Sequence, residues 1–465
     1  MPIYALSALT PGSVRRSISG RSRPMFKRFR KLSLFVVGVS VPIQGFAFGA
    51  GGLSATPFKL ATGVLLVLAA LQYAAHSGGR HRDRKTTWMI AFLVSFTVAT
   101  IMALVAGLPP GPVLRSGTTM IALVSFYFLL GYVVETRQDV RLLLWALVIG
   151  GVVTVLPAAV GIQQSNSVTQ FGKRFAGLSG QENLLGADMN VCLAAAAALF
   201  FLSRSQFRKM FLLGAGVLAL AGIALSVSRS AMLALGAMWA FWMYRSGRRG
   251  NLQYVVLAMM IATGSLLFMP DSVMGRLDTV FNAAERARDG SIQGRLVVNA
   301  WALRAFISNP LLGVGAPRFA TWMHEQPGTI GLAWHTIHNA YLSVAAQQGL
   351  LGLVPFVAVL TLSWNDYTTC WRAIRVRRLV KDPVLAEIGH LALFLQLALL
   401  SGLVGGLFHQ QQRSKTMWMM MALSPVVLSL ARERLETLRE SGSRDPARYP
   451  DPYPRPDAIP GPSWG

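Results

Sequence analysis

Long runs of apolar residues, separated by short polar stretches, dominate the chain between residues 32 and 431. A helix needs about 20 mostly apolar residues to cross the hydrocarbon core of a membrane. On this criterion the pattern predicts twelve membrane-spanning helices, at residues 32–50, 57–75, 87–107, 113–134, 141–162, 185–203, 210–226, 230–245, 252–269, 338–364, 385–407 and 414–431. The sequence therefore predicts an all-α polytopic membrane protein.

The polar stretches predict how the chain is organised around these helices. Residues 1–31 form a basic N-terminal segment, and residues 32–269 contain the first nine spans. A large loop covers residues 270–337, and the last three spans lie within 338–431. The Pro-rich tail at 432–465 contains too little apolar surface to fold, so we expect it to be disordered.

The composition supports a membrane protein, and this changes the interpretation of the large positive net charge. Apolar residues make up 53% of the chain and charged residues 14%, against about 25% charged in soluble domains. The net charge of +25, from 44 Lys and Arg and 19 Asp and Glu, would suggest a nucleic-acid partner in a soluble protein. In a membrane protein, cytoplasmic loops collect Lys and Arg. No nucleic-acid partner is therefore expected.

The distribution of Lys and Arg along the chain predicts its orientation. Basic clusters such as RHRDRK at 80–85 and WRAIRVRRLVK at 371–381 fall in every second loop, which places both termini in the cytoplasm. Residues 1–31 contain eight basic residues and no acid. They fit an inner anchor better than a signal peptide, because the following span is long and has no clear cleavage site. Met25, which begins MFKRFRK, is an alternative start.

Polar residues suited to chemistry collect on the opposite, outer face. Loop 163–184 contains Arg174, Gln181 and Asn183, Arg229 lies between the seventh and eighth spans, and Arg295 lies in the large loop. The loop before the last span contains His409 and Arg413. Arginine there opposes the positive-inside bias, and guanidinium groups match phosphate oxygens in pairs. The three arginines are predicted to converge on a diphosphate. The alternative is that each reaches lipid headgroups or pairs locally.

The large loop contains a predicted helix of its own. Within residues 294–310, apolar positions recur at helical spacing: Leu296, Val297, Ala300, Trp301, Leu303, Phe306 and Ile307. We expect an amphipathic helix half-embedded in the outer membrane surface. Arg295 at its start would add to the attraction of backbone N–H groups for an anion. The alternative is that Arg295 is a solvated surface charge.

His338 begins the tenth span directly after this loop. A neutral histidine there can act as general base on a hydroxyl group, and Asn339 can orient it or bind a sugar. The alternative is a structural histidine that caps the helix or bonds a carbonyl. The sequence contains no P-loop, HExxH or CxxC motif, and His335 and His338 have no third ligand in view. Neither a metal nor another cofactor is expected.

Four segments together resemble the O-antigen ligase and polymerase family of polytopic glycosyltransferases. They are RFAGLSGQENLLGADM at 174–189, SVSRSAML at 226–233, GRLVVNAWALRAFISNPLLGVGAPRF at 294–319 and HNAYLSVAAQQGLLGLVPF at 338–356. The resemblance implies a GT-C-like fold in the bacterial inner membrane, with the large loop in the periplasm. It also implies metal-independent, inverting transfer of a glycan from undecaprenyl diphosphate.

The resemblance further implies roles for individual residues. By motif match, the diphosphate would be held by Arg174, Arg229 and Arg295, and the catalytic residues would be His338 and Arg295. The acceptor or sugar would be contacted by Gln181, Asn183, Asn339 and Tyr341.

The quoted motifs do not separate the branches of the family by acceptor. Ligases use the lipid A core, polymerases use a second lipid-linked glycan, and a third branch uses protein serine. Transfer to lipid A core is favoured, with polymerisation of O-antigen, capsule or exopolysaccharide as the alternative; membrane lipids are further partners. A transporter of lipids or anions is the rival class, but it would require ionisable residues near the middle of spans, where this sequence has few.

Overall fold

A computed structural model of the chain describes residues 24–45, 56–75, 84–160, 164–169, 172–246, 290–328, 336–374 and 382–442. The first helices are α1 (Pro24–Ser40), α2 (Pro57–Ala75), α3 (Arg84–Val105), α4 (Pro110–Val133) and α5 (Arg137–Ala159). A hairpin of β1 (Gln164–Thr169) and β2 (Gly172–Phe175) follows, and then a short 3-10 helix, Gly177–Ser179. The strands pair antiparallel, with Val168 opposite Lys173. This hairpin is a small departure from the predicted all-α architecture.

The chain after the hairpin is again helical. The next three helices are α6 (Glu182–Leu202), α7 (Gln206–Ser226) and α8 (Arg229–Ser246). The large loop contributes α9 (Gly290–Ser308) and α10 (Phe319–His324). The remaining elements are α11 (Ala340–Ile374), α12 (Pro383–Gly405), a 3-10 helix at Gln411–Arg413 and α13 (Lys415–Gly442). Because α13 continues to Gly442, residues 432–442 of the predicted disordered tail are helical, and 443–465 lie outside the described residues.

Seven of the described helices are long and apolar enough to cross a membrane, namely α3 to α7, α11 and α12. Every predicted span except the ninth overlaps a helix. The ninth, at 252–269, lies outside the described residues, so the count of twelve stays a prediction. The predicted separation of the seventh and eighth spans is present, because α7 ends at Ser226 and α8 begins at Arg229.

Charged side chains connect helix ends at one end of the bundle, which we call the basic end. Its ion pairs join Arg30 to Glu135 and Asp139, Lys85 to Asp366, Arg137 and Arg141 to Glu387, and Arg434 to Asp382. Arg245, near the end of α8, lies 4.1 Å from the ring centre of Trp371. The helix ends that the charge pattern assigns to one side of the membrane therefore lie together.

The other ends of the helices meet at what we call the site end. Its hydrogen bonds join Gln44 to Asp188 (2.8 Å), Ser228 to Asn183 (3.0 Å), Arg413 to Ser116 (3.1 Å) and the Ala340 N–H to the Gly406 carbonyl (2.7 Å). Between the two ends, α6 packs against α7 and α12, and its alanine run at 194–198 allows close helix approach.

Helix α9 confirms the helix predicted in the large loop, and a second side of it, which the prediction did not identify, packs against the protein. The residues that pack against the protein are Val298, Ala302 and Ala305. The predicted apolar positions Leu296, Leu303 and Ile307 remain largely exposed. The helix is apolar on two sides, so one side contacts the protein while the other is free to contact lipid.

The segment after α9 lies alongside a break in α11. Gly349 interrupts α11 with φ +63° and ψ −156°. Backbone N–H groups bond carbonyls across the two segments, from Val314 to Ala346 (2.9 Å), Gly315 to Gln347 (3.1 Å), Leu350 to Pro310 (2.7 Å) and Leu351 to Leu311 (3.2 Å). Irregular backbone at membrane depth requires such partners within the protein. The large loop is therefore anchored directly to α11.

Candidate functional site

The turn between α7 and α8 positions Arg229 at the site end. Val227 adopts the left-handed conformation, with φ +47°, which is strained for a β-branched residue. The hydroxyl of Ser228 then donates to Asn183 at 3.0 Å, near the start of α6. Arg229, the first residue of α8, is half-buried. Two predicted site residues, Arg229 and Asn183, therefore belong to one corner of the site end.

The connection between the hairpin and α6 carries two further predicted residues. Arg174 belongs to β2, and its side chain lies outside the described atoms. Gln181 is exposed at the N-cap position of α6, directly after Gly180 with φ +77°. Their contacts with a substrate stay a prediction.

Arg295 lies on the face of α9 that packs against the protein. It precedes Val298 and Ala302 at helical spacing, so these three residues share one side of the helix. Its side chain is half-buried and its Nε is shielded from solvent. Arg295 is thus directed toward the bundle, unlike the solvated surface charge that the sequence left as an alternative.

His338 lies in the short segment before α11 and is half-buried. Burial, and secondarily the nearby charge of Arg295, lower the pKa of His338 to about 4. The imidazole is therefore neutral at pH 7, with a nitrogen lone pair able to accept a proton. Two residues separated by more than forty positions, one from α9 and one from the start of α11, act on each other electrostatically.

His409 lies beside His338 in the loop after α12. The two imidazole rings stack with centroids 6.3 Å apart and an interplanar angle of 25°. Only 7% of His409 is exposed. The sequence predicts His409 on the outer face but assigns it no role, because no spacing rule connects positions 338 and 409.

Asn339 and Tyr341 make contacts that hold the start of α11. The side-chain oxygen of Asn339 accepts from the Leu342 N–H at 2.9 Å, as a helix N-cap does. The hydroxyl of Tyr341 donates to the Leu403 carbonyl of α12 at 2.9 Å. Both residues therefore stabilise the segment that carries His338, and their predicted contacts with acceptor or sugar stay a prediction.

The loop between α12 and α13 adds a further arginine at this end. Arg413 donates to Ser116 at 3.1 Å, and burial lowers the pKa of its guanidinium. Its neighbour Gln412 donates to Ser343 of α11 at 2.9 Å. Besides the three predicted arginines, Arg413 is thus a fourth candidate for contact with an anionic substrate.

No three His, Cys, Asp or Glu side chains within the described ranges are grouped so that they could hold a metal ion. The side chains predicted for the site and described by the structure, such as Asn183, Arg295 and His338, are instead amide, guanidinium and imidazole groups. These groups are suited to binding phosphate oxygens and hydroxyl groups.

Two corners of the site end are thus defined, one by Arg229 and Asn183 and the other by Arg295, His338 and His409. Their convergence on one diphosphate stays a prediction.

Comparison with known protein families finds a match, and it includes residues from both corners of the site end. Residues 214–357 match the family model Wzy_C, described as O-Antigen ligase. The match covers less than half of the 465 residues and includes Arg229, Arg295, His338, Asn339 and Tyr341. A search of curated proteins finds no match. The resemblance to the O-antigen ligase family is confirmed, and together with the seven apolar helices it indicates a multi-pass membrane protein.

Proposed function

From the O-antigen ligase match at residues 214–357, we propose that the protein transfers a glycan from undecaprenyl diphosphate to an acceptor hydroxyl. The match supports glycosyltransferase activity of the ligase or polymerase type. Within it, we propose the periplasmic face of the bacterial inner membrane as the location, and lipid A core as the acceptor. The observation that carries the proposal is the neutral, half-buried His338 within electrostatic reach of Arg295.

The proposed step is a direct displacement without metal. The acceptor oxygen forms a bond to the anomeric carbon as the bond from that carbon to the diphosphate oxygen breaks. The electron pair of the broken bond leaves with undecaprenyl diphosphate, and the hydroxyl proton passes to a ring nitrogen of His338. Attack from the face opposite the leaving group inverts the anomeric centre.

The arginines supply charge stabilisation to the leaving group. Negative charge grows on the diphosphate as the bond breaks, and fixed guanidinium groups stabilise it without needing a proton donor. We assign this role to Arg295, Arg229 and Arg174, and contact with sugar or acceptor to Gln181, Asn183, Asn339 and Tyr341.

Replacement of the two central residues tests the proposal. We expect His338→Ala to lower kcat about 10²- to 10⁴-fold, since it removes the general base. We expect Arg295→Ala to lower it about 10²- to 10³-fold, since it removes charge stabilisation. The measurement is glycan transfer by purified protein in lipid vesicles, with synthetic lipid-linked donor and acceptor.

Two matched variants control for nonspecific effects. Arg318→Ala removes an arginine of the same loop that is ion-paired to Glu325 at 2.9 Å. His390→Ala removes an exposed histidine of α12 whose Nδ1 lies 2.8 Å from the Ala386 carbonyl. Both should retain transfer within about threefold. Wild-type rates in both His338→Ala and Arg295→Ala would overturn the assignment.

The pH dependence has a defined direction. His338 accepts a proton only when neutral, so kcat/KM should be constant near pH 7 and fall as pH drops through its pKa of about 4. A profile of kcat/KM in vesicles measures this acidic limb. A limb centred near 6.5, the ordinary histidine value, would contradict the described environment of His338.

The acceptor is decided by a deletion strain examined for lipopolysaccharide. Loss of all long chains on lipid A, with lipid-linked polymer accumulating, supports a ligase. Bands limited to a single repeat, or unchanged lipopolysaccharide with loss of capsule or exopolysaccharide, would instead identify a polymerase.

A further inference from the structure

The loop that carries His409 is fastened to the segment that carries His338. The Ala340 N–H donates to the Gly406 carbonyl at 2.7 Å, and the Tyr341 hydroxyl donates to the Leu403 carbonyl at 2.9 Å. Gln412 donates to Ser343 at 2.9 Å on the far side of the loop. These bonds lie on both sides of His409 along the chain. The relative position of the two histidines is therefore set by backbone and side-chain bonds, and not by the rings alone.

His409 itself is packed so that it cannot move freely. It is 7% exposed, and its carbonyl accepts from the Gln411 N–H at 2.8 Å. Its ring lies 6.3 Å from that of His338, centroid to centroid, at 25° from parallel. This separation and angle fall within the range of stacked aromatic pairs.

We propose that His409 is a positioning residue, which holds the imidazole of His338 by stacking and keeps water from one face of that ring. The proposal rests on the proposed function of His338. A catalytic group contributes fully only when its reacting atom is held within a fraction of an ångström of the productive geometry. A flat ring packed behind it provides this restraint without taking part in proton transfer.

The positioning role of His409 can be measured through its effect on the environment, and therefore on the pKa, of His338. Among the described residues, Arg295 on α9 acts on His338 by its charge and His409 contacts it through its ring; Tyr341 and Arg413 are further titratable side chains on adjacent elements. Burial is the largest cause of the low pKa of His338, with Arg295 second. Removal of the neighbouring ring would admit water, which raises the pKa of His338 toward its ordinary value.

Three variants at position 409 separate stacking from other roles. His409→Phe keeps a flat ring without nitrogen atoms, His409→Leu fills the volume without a flat ring, and His409→Ala removes the volume. We expect His409→Phe to stay within about threefold of the wild-type kcat. We expect His409→Leu and His409→Ala to lower kcat about 10- to 100-fold while KM for the donor changes less than about twofold.

The pH profile supplies the readout that a merely structural role would not alter. In His409→Ala, the acidic limb of kcat/KM should move upward from about 4, whereas in His409→Phe it should stay in place. Thermal unfolding in detergent identifies the variants that are folded. If His409→Ala does not yield folded protein, the comparison of Leu with Phe decides.

The outcomes distinguish this inference from the proposed function. A folded His409→Phe that is as slow as His409→Ala would overturn stacking, because the ring nitrogens would then be required. Wild-type kcat and an unmoved limb in folded His409→Ala and His409→Leu would also overturn it. In both cases, loss of activity in His338→Ala would still support the proposed function, whereas full activity in His338→Ala would overturn the proposed function itself.

Discussion

Asp188 lies in α6, fully shielded from solvent, where several elements of the site end contact its carboxylate. Gln44, which follows α1, donates to it at 2.8 Å, and Thr416 of α13 donates at 3.0 Å. The charge of Lys415 acts on it as well. A buried carboxylate is tolerated only with such compensation, so Asp188 fixes the start of α13 against α1 and α6.

Replacement of Asp188 should therefore destabilise the protein strongly. Asp188→Ala removes the acceptor of Gln44 and Thr416 together with a negative charge that acts on Lys415, and we expect a loss of about 3–5 kcal/mol of unfolding free energy. Asp188→Asn keeps an acceptor and should cost less. The double variant Asp188→Ala, Lys415→Met should recover part of the loss, since both charges are removed. Thermal unfolding in detergent measures each, and an unchanged midpoint in Asp188→Ala would contradict this role.

At the residue scale, the sequence identifies side chains whose chemistry is unusual for their position. His338 and Arg295 are predicted as site residues for two reasons. A histidine at the start of a span can act as a base, and an arginine on the outer face opposes the positive-inside bias. Both side chains are half-buried in the structure, which supports their selection as candidate site residues. The contact of His409 with His338 and the N-cap bond of Asn339 could not be predicted, because the first joins distant segments and the second depends on local backbone geometry.

At the scale of elements, the break in α11 is the feature that connects the large loop to the bundle. Gly349 has φ +63°, and a Cβ there would lie 2.3 Å from the carbonyl carbon of Leu311. Gly313, with φ +67°, approaches α11 almost as closely: a Cβ added at this position would lie 2.4 Å from the Gln347 carbonyl carbon. Only glycine permits two backbones to approach in this way.

A methyl group at this break should separate the two segments. We expect Gly349→Ala to cost at least about 2 kcal/mol of unfolding free energy and to reduce glycan transfer, because α9 and Arg295 would be displaced. Gly214→Ala in α7 is the matched control, since nothing lies within 4 Å of its Cβ position. It should leave the thermal midpoint unchanged or slightly raised. Equal midpoints for the two variants would contradict the close approach.

Element prediction succeeded where the pattern was local and failed where it was not. Each predicted span within the described ranges overlaps a helix, because apolar length is a property of one segment. For α9, predicted apolar positions such as Leu296 and Ile307 are exposed, as a lipid-facing side requires, but periodicity did not reveal that a second side, around Ala302, packs against the protein. The hairpin at 164–175 was not predicted, because its polar residues give no alternation of apolar positions.

At the scale of the whole molecule, the ends of the helices fall into two groups. The basic end carries ion pairs such as Arg30 with Asp139 and Arg434 with Asp382, at 3.2 Å and 2.6 Å. The site end carries His338, Arg295 and Arg229. Charge alternation along the sequence was sufficient to predict this grouping, since loops of one kind share a side.

Cysteine labelling tests which side each end faces. Thr321 is exposed on α10 in the large loop and Gln138 is exposed at the basic end, while the native Cys192 and Cys370 are 4% and 1% exposed. We expect Thr321→Cys to react with a membrane-impermeant maleimide in spheroplasts. Gln138→Cys should react only after lysis, because the basic end is predicted to face the cytoplasm. The reverse pattern would show the opposite orientation.

The backbone bonds at the break in α11 have a consequence for biosynthesis. The interrupted helix needs partners from residues 310–315, and the next residue, Ala316, donates its N–H to the Ala99 carbonyl of α3 at 3.0 Å. All of these partners precede α11 in the chain, so the ribosome has made them before the groups of α11 that require them emerge. The backbone groups that bond the break are therefore already synthesised when α11 enters the membrane. The unpaired groups of the break can then form hydrogen bonds at once, without a stage in which they face lipid.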